Sequence, residues 1–169
     1  MSWKEFEKRE PKMAALGFER LNRKVAYLAT IKKDGSPRLH PITPFIGNGM
    51  LFMFTEPSSP KIRDLGCDGR CAIHCSVERK EGEPLIEFLI SGTGQVIDDD
   101  LVRAKAANIA ASPVVTNSYV MFEFRIDNAL LVEYDDEGKR TVQHWHLHAP
   151  LKDSQTITVD GGRGIVELI

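Results

Sequence analysis

The sequence predicts a mainly β protein, either a small barrel or a sandwich with helical inserts. From Val25 onward, short runs rich in β-branched and aromatic residues alternate with strong turn signals. Three segments have features typical of helices. The 169 residues, 42% hydrophobic and 27% charged, suffice for one domain with a substantial core. We therefore expect a single domain spanning residues 1–169.

The N-terminal segment predicts a helix that is interrupted near Pro11. Ser2 followed three residues later by Glu5 has the form of a capping box. The intermittent apolar stripe behind it consists of Trp3, Phe6, Met13, Leu16 and Phe18.

Three antiparallel strands in a row are expected next, at about 25–32, 36–46 and 50–55. The turn signals Asp34-Gly35 and Gly47-Asn48-Gly49 predict hairpins between them. After the third strand, Ser58 or Ser59 can cap a short helix that has Pro60 at an early position and ends near Gly66.

The remainder returns to β structure around one more helix. Asp98 to Asp100 begin a helix at 101–111, where the helix dipole favours acidic residues. Gly92 and Gly94 indicate a bend or a close approach inside a long strand. The predicted strands are 71–77, 84–97, 119–126, 129–134 and 139–148, with 155–169 as an extra strand or a tail docked on a partner.

Charge and composition argue against several classes of protein. A net charge of −2 and a pI near 6.2 disfavour nucleic-acid binding, which needs a basic excess. No apolar run is long enough to cross a membrane, and the charged N-terminus is unlike a signal peptide. Together with an odd number of clustered cysteines, this predicts a cytoplasmic location.

The turn after residue 55 is the first candidate site. A strand ending at Thr55 leads to a helix N-terminus, where backbone N–H groups and a positive dipole end favour an anion. Ser58, Ser59 and Lys61 can add hydroxyl donors and a charge. These residues fit a phosphate site, but taken alone they favour an ordinary capped helix, which uses the same chemistry.

The predicted strand at 36–46 offers a second set of polar groups. Its two-residue period places Arg38, His40 and Ile42 on one face and Leu39, Pro41 and Thr43 on the other. Arg38 could bind a phosphate bidentately or simply be solvated. Because three prolines interrupt its hydrogen bonding, we expect this strand at a rim or an edge.

The run from Val25 to Leu65 resembles the FMN-binding split-barrel family of pyridoxamine 5'-phosphate oxidase and its relatives. The shared order is an AxLAT strand, a DG turn, PRxxP, a second turn, LxFxT and a Ser/Lys-bearing turn before a short helix. With the following strands, the resemblance spans about residues 22–134. It implies an antiparallel split β-barrel of Greek-key type, forming a homodimer with the cofactor at the subunit interface.

The resemblance also implies the residues that bind FMN. They are Arg38, Leu39, His40, Pro41, Ile42 and Thr43 on one strand, Phe54, Thr55, Ser59 and Lys61 at the phosphate turn, and Glu87, which would complete the partner's site. Two positions depart from the family pattern, because Pro60 replaces an Arg and Thr43 replaces a Lys of the oxidase. The oxidase's C-terminal Arg-Leu-His stretch has no match, so its substrate is not implied.

Two classes of function follow from these observations. One is a flavin-dependent oxidoreductase acting on an unidentified small molecule, in which the flavin carries the chemistry. A deazaflavin is an alternative cofactor, whose anionic tail would need cations near Lys61 and Arg63. The other class is a non-catalytic split barrel that binds flavin or heme, and the two lost cations favour it.

Three histidines and two cysteines invite a metal interpretation. His144, His146 and His148 would share one strand face and could bind a metal, a heme or a dimer partner. Cys71 and Cys75 would lie roughly 13 Å apart on a strand, too far to share a metal ion. We expect core thiols and no metal centre.

Overall fold

The structure, a computed structural model, describes residues 1–77, 84–111, 118–135 and 137–148, and the backbone of 155–159. The helices in these ranges are α1 (Trp3–Arg9), α2 (Pro11–Leu21), α3 (Pro60–Cys67) and α4 (Asp100–Ala110). The strands are β1 (Ala26–Ile31), β2 (Pro37–Ile42), β3 (Phe45–Gly47), β4 (Met50–Thr55), β5 (Arg70–Cys75), β6 (Leu85–Ile97), β7 (Val120–Tyr134), β8 (Arg140–His146) and β9 (Gln155–Val159).

The helix ends agree with the local sequence signals. The Ser2 hydroxyl accepts a hydrogen bond from the backbone N–H of Glu5, and the Glu5 carboxylate accepts one from the backbone N–H of Ser2, which confirms the capping box. The interruption before Pro11 is also confirmed. At the start of α4, the Asp99 side chain accepts hydrogen bonds from the N–H groups of Leu101 and Val102.

The seven central strands form one antiparallel path in the order β2-β1-β5-β6-β7-β4-β3. Its two ends, β2 and β3, are joined in the chain by Thr43 and Pro44 alone. The three Cα–Cα steps from Ile42 to Phe45 span at most about 11 Å. The sheet therefore curls until β2 and β3 approach each other, although the two strands do not pair. The predicted split barrel with helical inserts is confirmed, and a sandwich is excluded.

The prediction of one strand at 36–46 is wrong. β2 ends at Ile42 and β3 begins at Phe45, so the chain leaves one end of the sheet and enters the other. Pro44, which has no N–H to donate, lies between them. The expected row of three adjacent strands is therefore wrong as well, although both hairpins are confirmed.

The predicted break between 119–126 and 129–134 is also wrong, because β7 runs unbroken from Val120 to Tyr134. A bulge accommodates the polar residue Asp127, since Ser91 pairs with Asn128 while Gly92 pairs with Ile126. A Cβ at Gly92 would lie 1.9 Å from the carbonyl oxygen of Arg125. The close approach expected at this glycine is confirmed.

The main core fills the curl of the sheet, and α1 packs against it. The Phe6 ring meets the ring of Trp145 at 5.2 Å, edge to face, and is fully buried. A second apolar cluster under α4 joins Ala106 to Phe52 and Met121. β4 is thus buried on both faces, which explains its nearly continuous apolar sequence.

The end of the chain adds two strands to this barrel. β8 pairs with β7, and β9 pairs with β8, which confirms an extra strand within the predicted segment 155–169. Residues 160–169 lie outside the described residues, as does the predicted polar connection 78–83. Within the described ranges, no helix has the length and apolar character needed to span a membrane.

Candidate functional site

A cavity of about 420 Å³ opens where the two ends of the curled sheet separate. One wall comes from the end of β2, through Pro41, Ile42 and Thr43. The opposite wall comes from the end of β4 and the start of α3, through Phe54, Thr55, Ser59 and Lys61. Seven of the eleven sequence-predicted residues therefore line one cavity, within the range of roughly 300 to 1,000 Å³ typical of cofactor sites.

The other four predicted residues do not line this cavity. Arg38 and His40 point to the inner face of β2, towards α3. Leu39 is 66% exposed on the opposite face of that strand. Glu87 lies on β6, where its carboxylate accepts a 3.1 Å hydrogen bond from the hydroxyl of Tyr134.

Five lining residues were missed by the sequence reading. Glu56 lies inside the predicted turn and could have been included from its position. The other four lie outside the motif strands or at core positions. They are Val25, Phe45, Met53 and Tyr119. Tyr119 donates a 3.4 Å hydrogen bond to Glu56, so the segments before β7 and after β4 meet at the cavity.

Two side-chain donors at the polar end of the cavity have no hydrogen-bond or ion-pair partner among the described residues. Ser59 is the N-cap residue of α3, yet its side chain makes no capping hydrogen bond. The lack of that hydrogen bond weakens the ordinary-cap interpretation and leaves the hydroxyl available to a ligand. Among the described residues, no carboxylate comes within ion-pair distance of Lys61. Burial lowers the pKa of Lys61, and the nearby Glu56 opposes that shift.

The remaining wall is apolar and aromatic. Phe45 stacks on Phe52 with ring centroids 5.7 Å apart, and Phe54 meets Phe52 edge to face at 5.9 Å. Phe52 is fully buried and anchors both rings. A rigid aromatic wall of this kind suits a flat heterocycle.

A buried carboxylate lies beneath the polar end. Asp64 of α3 is 2% exposed and accepts a 3.0 Å hydrogen bond from the Thr30 hydroxyl of β1. The Arg38 Nε atom lies 2.9 Å from Asp64 Oδ2, although without the alignment of a hydrogen bond. Arg38 is therefore neither simply solvated nor at the cavity, but ion-paired behind it.

A half-exposed surface, here called the outer face, continues from the cavity rim across the sheet. The register aligns Pro41, Tyr27 and His74 on neighbouring strands. Pro41 belongs to both the outer face and the cavity. Tyr27 is 41% exposed here, and Glu87 lies 3.9 Å from the His74 ring. A polar pair thus lies within a largely apolar surface.

The C-terminal histidines lie away from the cavity lining. The rings of His144 and His146 stack with centroids 6.2 Å apart, and His146 Nδ1 lies 2.6 Å from Asn128 Oδ1. Within the part of the chain that the structure describes, no group of three metal-ligating side chains is found. Cys75 is buried in the main core and Cys71 packs against it, as expected of core thiols.

Of the comparisons with known proteins, the one with solved structures supports the architecture. No protein-family profile matches the chain, and no curated protein sequence matches it. Solved structures do match, and they are split barrels of the pyridoxamine 5'-phosphate oxidase-like type. The chain is a split β-barrel. The fold that the sequence resemblance implied is therefore confirmed.

Three of these split barrels illustrate the likeness. PhzG from Burkholderia lata 383, solved with tetrahydrophenazine-1-carboxylic acid, is 15% identical over 94% of this chain and 93% of its own, with a TM-score of 0.60. A NimC/NimA family protein from Clostridium acetobutylicum is 16% identical over 76% and 91%, with a TM-score of 0.55. A heme binding protein from Mycobacterium smegmatis is 18% identical over 74% of this chain, with a TM-score of 0.59, and this chain covers 53% of it.

Proposed function

We propose that this split barrel binds FMN and acts as a flavin-dependent oxidoreductase on a small-molecule substrate. The observation that carries the proposal is the cavity, which places Ser59 and Lys61 at one end and aromatic side chains along its wall. Ser59 and Lys61 fit a phosphate group, and the aromatic side chains fit a flat ring system. When bound, the flavin would supply hydride or oxygen chemistry, while the chain binds and orients it.

The site contains parts suited to each region of FMN. Thr55, Ser59 and Lys61 would hold the phosphate at the start of α3. The backbone from Pro41 to Thr43, at the end of β2, would meet the edge of the ring system, because no described strand pairs with the outer edge of β2. Phe54 and Phe45 would exclude water from the ring.

A second copy of the chain is the proposed partner. Leu39 and Tyr27 expose apolar area on the outer face, which is continuous with the cavity through Pro41. A homodimer formed through this face would bury that area and bring the partner copy to the cavity rim. Glu87, which lies on this face, would then contribute to the partner's site. Each single-domain chain would supply half of each site.

Absorption of the purified protein tests the cofactor directly. Bands near 450 nm, retained through gel filtration or restored by adding FMN, support the proposal. A protein that stays colourless and cannot be reconstituted with FMN contradicts it. Reconstitution with a deazaflavin alone would identify the alternative cofactor and give Arg63 a role beside Lys61.

Non-catalytic heme binding is the second candidate. The stacked pair of His144, which is half-buried, and His146, which is exposed, favours it, and one structural neighbour is a heme binding protein. The histidines do not line the cavity, which favours flavin. A Soret band in place of the flavin bands would reverse this preference. Three cysteines without disulfides suit the reducing cytoplasm that we propose as the location.

A further inference from the structure

The imidazole of His40 is held in an unusual position behind the cavity. Its side chain is 12% exposed, and it lies on the inner face of β2 beside Arg38, facing α3. Nε2 is buried and has no hydrogen-bond partner among the described residues. Among the residues that the structure describes, the closest acidic atom is Asp64 Oδ2, at 4.0 Å. A buried polar atom without a partner is costly, so its retention calls for a physical reason.

Charged groups surround this ring on two elements. Lys61 and Asp64 face it from α3, and Arg38 faces it from its own strand. Burial is the main cause that lowers the pKa of His40, and the cations of Lys61 and Arg38 lower it further, while Asp64 opposes them. The ring is therefore neutral near pH 7 when the cavity holds no anion.

An anion in the cavity would change this balance of charge. Lys61 and Arg38 carry two positive charges and Asp64 one negative charge, which leaves one positive charge in the cluster. A phosphate monoester carries about two negative charges near neutral pH, and would leave the cluster with an excess of negative charge. The exposed Glu56, beside Lys61, increases this excess. Unbalanced charge in a part-buried site is unfavourable.

We propose that His40 takes up one proton from solvent when a phosphate-bearing ligand binds beside Lys61, and that Asp64 holds the resulting imidazolium. The proton adds to the unprotonated ring nitrogen, after which both ring nitrogens are donors and Nε2–H faces Asp64. His40 is thus a positioning residue, which couples binding to pH without touching the reacting ring system. The inference rests on the proposed function only in requiring a phosphate at this turn.

The sign of the coupling follows from the charges. A bound phosphate raises the pKa of His40, so the protonated form gains affinity and the ligand binds more tightly at lower pH. Between the free and bound pKa values, the affinity falls by up to about tenfold for each unit of rising pH. The phosphate of FMN, with a second pKa of about 6, is already a dianion at pH 7.5 and adds little to this slope.

Calorimetric titration with FMN at pH 7.5 tests the coupling. Measurements in two buffers of different ionisation enthalpy give the number of protons taken up on binding. We expect uptake approaching one proton for the wild type and close to none for His40→Gln. Riboflavin, which lacks the phosphate, should bind without uptake in both proteins. NMR titration of the His40 ring in the wild type, with and without FMN, gives the same answer independently of the variant's folding.

The outcomes separate this inference from the proposed function. FMN binding without proton uptake, or with equal uptake in His40→Gln, overturns the role of His40 and leaves the flavin proposal intact. If FMN does not bind, pyrophosphate is titrated in its place. If pyrophosphate binding is accompanied by proton uptake in the wild type but not in His40→Gln, the role of His40 and Asp64 is supported and the flavin proposal is contradicted. If neither ligand binds, both proposals fail.

Discussion

The Thr30 hydroxyl donates a 3.0 Å hydrogen bond to the Asp64 carboxylate and so links the C-terminal end of β1 to α3. Both side chains are almost fully buried. The start of α3, which forms the polar end of the cavity, is held against the barrel through this contact.

Loss of this hydrogen bond should lower stability. Thr30→Val leaves a buried carboxylate short of one donor, and we expect the free energy of unfolding to fall by about 1 to 3 kcal/mol. Denaturant unfolding of Thr30→Val, Asp64→Asn and the double variant measures the coupling. A coupling energy near zero would show that the two side chains do not stabilise each other.

Removal of the cavity cation should weaken FMN binding. Lys61→Met keeps the length of the side chain and removes its charge, and we expect the dissociation constant to rise about 10- to 100-fold, as loss of a charged hydrogen bond predicts. Fluorescence titration measures it. Lys12→Met, on the exposed side of α2, is the matched control and should leave the affinity unchanged. Equal affinities in the two variants would contradict the placement of the phosphate.

Association through the outer face should depend on Leu39. Leu39→Lys places a charge within the proposed interface, and we expect sedimentation to show a shift from dimer to monomer. Leu101 on α4 is 74% exposed, similar to the 66% of Leu39, but lies away from the outer face. Leu101→Lys should therefore remain dimeric. If the wild type sediments as a monomer with full flavin occupancy, the proposed interface is contradicted.

Two glycines should respond to alanine in opposite directions. A Cβ at Gly92 would collide with the backbone of Arg125 at the bulge, so Gly92→Ala should destabilise the fold by about 3 kcal/mol. A Cβ at Gly66, within α3, would meet nothing within 4 Å, so Gly66→Ala should stabilise it by up to about 1 kcal/mol. Thermal unfolding distinguishes the two. Equal and small shifts would mean that the bulge can relax.

The three thiols should differ in reactivity. Cys67 is exposed, whereas burial, assisted by Asp127, raises the pKa of Cys71 to about 12, and burial also raises the pKa of Cys75. At pH 8 a thiol reagent should label one cysteine quickly in the native protein and all three after unfolding. The fast reaction should disappear in Cys67→Ser. Its persistence would show that a core thiol is accessible.

Local features of this fold were readable from the sequence because each depends on residues close together in the chain. Ser2 and Glu5 lie three positions apart, and the hairpin turns carry their own glycines. The turn from Thr55 to Lys61 is similarly short, so its donors could be named in advance. Alternation along β2 likewise separated Arg38 and His40 from Leu39 without knowledge of their neighbours.

The sequence by itself determined most of the strands, the hairpin turns and seven of the twelve residues that line the cavity. Only the tertiary structure decided that β2 and β3 lie at opposite ends of a curled sheet, that Tyr119 reaches the cavity and that Arg38 pairs with Asp64. These facts depend on contacts between residues 26 or more positions apart, which a periodic pattern does not specify. The curl of the sheet brings these residues together, and its cause is the packing of the whole core.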